Sequence, residues 1–190
     1  MQAPKHVLIV IDHPNEASLT QALAHRFAEG ARNSGHSTET CDLHAEGFDP
    51  RWSLADIEGR ATDIQSHQER VEACDALCLV FPLFWYGMPA MTKGWIDRVW
   101  TYGWAYDETG LPGRSLLKDR TGVLLVPAAA NPETWAPYDI EDLLHRTWTT
   151  GMLDYFGMAG ARVHVLNGSE GSAARRAGLL ERAYQAGQTL

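Results

Sequence analysis

The 190-residue chain predicts a doubly wound α/β domain, with five parallel strands held between two helical layers. Three observations carry this. The runs HVLIVI (6–11), ALCLVF (76–81) and GVLLVP (122–127) are continuously apolar, as strands covered on both faces are. Helical patterns fill the gaps between them. Strand and helix alternate five times, and right-handed crossovers then gather the strands into one sheet.

The elements follow in order. After the first run, Ser18 and Gln21 stand three apart as a capping box. Leu19, Leu23 and Phe27 continue at four-residue spacing as one buried stripe, ended by Gly30 or Gly35. HSTETCDL (36–43) is polar and alternating, which suits an edge strand. Further helices are predicted over 64–73, 89–101, 138–155 and 172–187, and ARVHVL (161–166) supplies the fifth strand. No repeat, low-complexity tract or linker interrupts the pattern, so residues 1–190 read as one domain.

Composition excludes several classes. Lys plus Arg number 16 against 24 Asp plus Glu, a formal charge of -8 without a basic cluster, so a nucleic-acid partner is not expected. Cys41, Cys74 and Cys78 are odd in number and lack paired spacing, which fits a reducing, cytoplasmic setting; Cys74 and Cys78 read as small core residues. The apolar run at the start is too short for a secretory signal. The longest uncharged run, Ala76 to Thr92, falls short of the roughly 20 residues of a membrane span. The eight histidines are scattered, so no metal is expected. There is no phosphate-binding G-x-x-x-x-G-K-[ST], no G-x-G-x-x-G and no G-x-S-x-G elbow.

In a doubly wound sheet, ligands bind at the carboxyl ends of the strands where strand order reverses. Three loops open there: DHPNEAS after strand 1, PLFWYGMP after strand 3 and PAAANPETWAPY after strand 4. In the first, His13 and the hydroxyl of Ser18 stand at a helix amino terminus, a ready anion site; the plainer reading is a capped helix beside a solvated His. In the second, Pro82 turns the chain away and leaves Phe84, Trp85 and Tyr86 free to stack on a flat ligand, with Pro89 opening the next helix. Those rings could equally pack the domain or a subunit interface. The third loop is rich in small residues and ends at Tyr138, which brings a phenol to the same crevice. An anion end and a flat aromatic end together match a flavin.

The stretch PLFWYGMPAMTKGWIDRVWTYGWAYDETG (82–110) resembles the signature of the flavodoxin-like NAD(P)H:quinone oxidoreductases, and HPNEASLTQALA (13–24) is similar to that family's first loop. The likeness runs from about residue 5 to 167, and its group includes modulator-of-drug-activity proteins and ancillary subunits of potassium-efflux antiporters. The resemblance implies a flavodoxin-like fold and an enzyme passing hydride from NAD(P)H through flavin N5 to a quinone or similar flat aromatic acceptor. It implies that His13, Ser18, Leu19 and Thr20 hold the flavin phosphates, and that Pro82, Leu83, Phe84, Trp85 and Tyr86 line the ring. Pro127, Ala128, Ala129 and Ala130 stand where the family carries Thr-Thr-Gly-Gly, leaving the amides of Ala128, Ala129, Ala130 and Asn131 for the ring's polar edge. Tyr138 is the candidate catalytic hydroxyl beside N1. Arg176 matches an arginine near the adenosine part, which favours FAD, with FMN as the alternative.

Family members pair through the region of helix 89–101, so a homodimer is implied, with Met91, Trp95 and Trp100 as exposed contacts; the plainer reading is a deeply buried helix in a monomer. Two rivals stand beside the enzyme. One is a flavin-binding regulator docked on a membrane antiporter, a peripheral membrane-protein partner. The other is a one-electron carrier, disfavoured by the aromatic second loop. The reaction itself belongs to the cofactor; the protein orients it and steadies charge.

Overall fold

The computed structural model describes residues 3–106, 117–158 and 160–190. Five strands form one parallel sheet in the order β2-β1-β3-β4-β5. They are β1 (His6–Ile11), β2 (Ser37–Asp42), β3 (Ala76–Val80), β4 (Thr121–Ala128) and β5 (Arg162–Asn167). The helices are α1 (Leu19–Asn33), the short α2 (Leu54–Ile57), α3 (Gln65–Ala73), α4 (Ala90–Val99), α5 (Pro132–Trp135), α6 (Ile140–Trp148) and α7 (Ala173–Gln188). The order reverses between β1 and β3, so the loops after those strands diverge over a crevice.

Alternate residues of each inner strand feed two separate cores. Val7, Ile9 and Ile11 pack with Leu23 and Phe27 of α1 and Leu179 and Ala183 of α7. Leu8, Val10, Leu77 and Leu79 face Trp95, Val99, Leu144 and Trp148 from α4 and α6. Apolar side chains on both faces explain why the strands read as continuous runs rather than alternating ones. Helices α1 and α7 cross in close contact at Gly30 and Gly187, where an added Cβ would strike the backbone of Tyr184 and of Phe27.

Several boundaries depart from the sequence reading. Strand β4 continues through Pro127 to Ala128, which pair with Leu166 and Asn167. A central strand tolerates this proline because its carbonyl accepts from Leu83 N at 2.9 Å, so its missing N–H faces the β3 side beyond that strand's last residue. The span 138–155 is broken: a 3₁₀ turn over Ala136–Tyr138 leads to Asp139 at φ 50°, then α6, then a π-helical turn over Thr149–Leu153. The capping box at α1 is only half made. Ser18 Oγ accepts from Gln21 N at 3.2 Å, while the Gln21 side chain donates to Asp42 instead of reaching back.

The largest correction concerns α4. Trp95 and Trp100 are buried, not exposed, and Met91 is half-buried. The segment between β2 and α3 lies over this helix. Pro50 packs against Gly94, and Arg98 is buried in ion pairs with Asp56 (2.9 Å) and Asp63 (2.8 Å) while donating to Asp49 O. The tryptophans read as a pairing surface on this helix are therefore covered within the chain. No helix among the described residues is long and apolar enough to cross a membrane.

Candidate functional site at the carboxyl edge of the sheet

The chain leaves β3 alongside β4, with Phe81 N donating to Leu125 O (3.3 Å) and Leu83 N to Pro127 O (2.9 Å). It then doubles back in a two-residue turn: Phe84 N donates to Gly87 O (3.1 Å) and Gly87 N to Phe84 O (2.9 Å). Trp85 and Tyr86, the central pair, both sit in the left-handed region at φ 49° and 59°. Such turns normally use Asn-Gly, because a Cβ there costs roughly 1–2 kcal/mol per residue. The Trp85 side chain recovers nothing from the fold, being 97% exposed. Strain of this kind, held between Pro82 and Pro89, gathers at ligand sites.

The facing wall comes from the end of β4. The Ala128 carbonyl accepts from Gly168 N (2.8 Å) and Ser169 N (3.0 Å). In a parallel ladder a residue's N–H and C=O point the same way, so the Ala128 amide faces β5 and not the crevice. The amides of Ala129 and Ala130 find no acceptor among the described residues. Asn131 then caps α5, its Oδ1 accepting from Glu133 N at 3.1 Å. That short helix turns Trp135 back under the Tyr86 ring, 5.8 Å between centroids. The two walls flank an open cavity of about 220 Å³ lined by Leu83, Trp85, Tyr86, Ala128, Ala129, Ala130 and Trp135.

The structure thus brings together six of the residues singled out from sequence, and adds Trp135. Read from sequence, Trp135 was one more aromatic in a loop; only the helical turn begun at Asn131 and Pro132 aims it at the cavity. Pro82 and Phe84 belong to the same loop without lining that cavity. Tyr138 stands outside it, 74% exposed. Arg176 lies on α7 and donates to Gly171 O at 2.7 Å. Residues 107–110, the end of the long motif, lie outside the described residues.

The first loop forms a second feature on the same edge. His13 Nδ1 accepts from Asn15 N (3.0 Å), so a neutral ring carries its proton on Nε2. Asn15 Oδ1 accepts from Ala17 N, and Ser18 caps α1. The amides of Leu19 and Thr20 open the helix and take no part in its ladder, which leaves them for an anion. Between the two features sits Asp12, passed over in the sequence as one more loop acid. It is 4% exposed and accepts from Thr92 N (2.8 Å), Thr92 Oγ1 (2.6 Å) and His44 Nε2 (2.9 Å).

One further cluster has metal-ligand chemistry: Cys41, Glu46 and His67 place their ligand atoms within 4.8 Å of one another. Its donors are already committed. Burial pushes the Cys41 thiol up to about 12, so it holds its proton. His67 Nδ1 accepts from Trp95 Nε1 at 3.3 Å, and the Arg70 guanidinium grips Glu46 at 2.8 Å.

A ribosyldihydronicotinamide dehydrogenase [quinone] of Pongo abelii is 30% identical over 155 residues, covering 70% of this chain and 67% of the relative. A solved NAD(P)H:quinone oxidoreductase from Methanothermobacter marburgensis is also 30% identical, with a TM-score of 0.84 and 98% of both chains covered. An FMN-dependent NADH-azoreductase of Bacillus anthracis, solved with FMN, shares the fold at a TM-score of 0.71 and 16% identity, with 97% of this chain and 96% of that one covered. The model of the flavodoxin-like fold family matches residues 5–190, and the chain belongs to that family.

Proposed function

We propose that this oxidoreductase is a flavin-dependent NAD(P)H:quinone oxidoreductase working by two-electron, ping-pong hydride transfer. The observation that carries the reading is the strained Trp85-Tyr86 turn facing the alanine-lined end of β4 across the cavity, directly beside the strand-order reversal.

The residues present fit a flavin. At about 220 Å³ the cavity is below the roughly 300–1,000 Å³ of a drug-sized pocket, which suits one flat ring system and not a whole dinucleotide. Leu83, Trp85, Tyr86 and Trp135 supply apolar surface for such a ring. The uncommitted amides of Ala129 and Ala130 supply donors for its polar edge, and the alanines let that backbone come close. His13 and the amides at the start of α1 would hold the phosphate end. A bound flavin would supply the chemistry of hydride transfer between NAD(P)H and a quinone. The chain's own residues orient the ring, exclude water from one face and present N–H dipoles where negative charge develops. The exposed face of Trp85 leaves room for donor and acceptor to take turns.

A second copy of the chain is proposed to complete the site. With Trp95 and Trp100 buried, an apolar surface offered for pairing among the described residues is the exposed group Trp52, Leu54, Ile57 and Tyr102 on and beside the cover of α4.

The test is the visible spectrum of the purified protein, then titration with FAD and FMN, acid release with chromatography, and NAD(P)H oxidation with and without a quinone. Bound flavin together with quinone-dependent NAD(P)H oxidation is the expected result. A chain with affinity for neither flavin overturns the reading.

A further inference from the structure

We infer that Asp12 is a positioning residue that fixes the span between the phosphate end of the site at α1 and the aromatic cavity before α4. The inference rests on the flavin reading above.

Helix α4 follows the strained turn directly, and its N-cap, Pro89, makes no side-chain hydrogen bond to the first amides. The cap comes from another loop. Asp12 Oδ2 accepts from both the amide and the hydroxyl of Thr92, in the first turn of α4. Its other oxygen accepts from His44 Nε2. The turn that carries His44 is tied down in the same way, with Asp42 Oδ1 accepting from His44 N (3.0 Å) and Ala45 N (3.1 Å). Asp42 Oδ2 in turn accepts from Gln21 Nε2, in the first turn of α1. The run Gln21–Asp42–His44–Asp12–Thr92 therefore joins the amino ends of α1 and α4 across the strand-order reversal. Every side-chain link in it involves a carboxylate, the stronger class of hydrogen bond.

A ligand with an anion on the amides of α1 and a ring against residues 83–86 must reach both ends at once. A rigid span keeps the second contact in place once the first is made, so the affinity gained from the phosphate adds to that of the ring. Loosening the span loses the coupling between the two contacts, not either contact alone.

The experiment measures dissociation constants by quenching of flavin fluorescence for riboflavin, which lacks the phosphate, and for the tighter of FMN and FAD. The quantity of interest is their ratio. In D12N the link to His44 loses its carboxylate charge, and in H44A the link is absent; in each the ratio should shrink, in H44A about tenfold, the size of one lost hydrogen bond to a charged group. H44Q keeps an N–H donor and should restore much of the ratio. His44 is partly exposed, so H44A should stay folded even if D12N does not, and thermal melts monitor both. Equal weakening of both ligands in H44A, or an unchanged ratio, overturns the inference while leaving the flavin reading intact. A wild-type chain that binds none of the three ligands removes the flavin reading and this inference with it.

Discussion

Trp85 and Trp95 lie ten residues apart in one sequence motif and meet opposite fates. Trp85 stands in a left-handed turn with its indole almost wholly in water. Trp95 is fully buried, donates Nε1 to His67 Nδ1 and meets the rings of His67 and Trp100 edge-on at 6.4 and 6.3 Å. The motif is thus two devices in series: a cavity-lining turn in left-handed backbone, and a helix that anchors it in the core. The contrast can be broken at either end.

The largest effect is expected from Trp95→Ala. It removes a fully packed ring and the indole N–H that His67 accepts from, so a loss of about 3–5 kcal/mol in unfolding free energy is expected, read as a lowered denaturant midpoint. Gly94→Ala should cost less, about 1–3 kcal/mol, because its Cβ would strike the backbone and ring of Pro50. This change pries the cover from α4 without touching the Trp85 turn. A loss of flavin affinity as large as the loss of stability would show that cover and turn are not separable.

The sequence revealed what periodicity and punctuation encode. Continuous apolar runs gave the strands because both sheet faces are covered. Pro82 and Pro89 bracketed the loop, so Phe84, Trp85 and Tyr86 were identifiable as stacking candidates; Trp85 and Tyr86 line the cavity and Phe84 does not, while Leu83 was implied only by the family resemblance. Periodicity says which residues of a helix share a face, but not how many faces are covered. Trp95 and Trp100 were assigned to the surface because nothing local announces that Pro50, Asp56 and Asp63 lie across α4. Asp12 was missed for a related reason: its partners are 32 and 80 residues away. The run GVLLVP stopped one residue short of Ala128, and only the end of the neighbouring strand explains why the missing donor at Pro127 is tolerated.

The buried end of the comparison should also respond to acid. Burial holds His67 below its ordinary value of 6.5, and burial with Arg182, Arg162 and His145 nearby does the same for His164. The unfolded chain takes up protons near that ordinary value while the folded chain resists them. Stability is therefore complete above it and declines as pH falls through the lowered folded values. Denaturant midpoints between about pH 8 and pH 5 should show this decline, and His67→Asn should flatten part of it.

At the exposed end, Trp85→Gly should act with the opposite sign. Glycine adopts the left-handed conformation without a Cβ clash, and no buried contact is lost with a side chain that lies in solvent. Relief of strain should outweigh the added freedom of the unfolded chain, which raises stability by up to about 1 kcal/mol. The same substitution removes one lining ring of the cavity, so flavin affinity should fall while the denaturant midpoint rises. Divergence of the two readouts is what a strained ligand-binding turn requires. If Trp85→Gly lowers stability and leaves flavin affinity unchanged, the indole is a packing element of an assembly and not part of the binding surface. Sedimentation of the same variant would then show a weakened dimer.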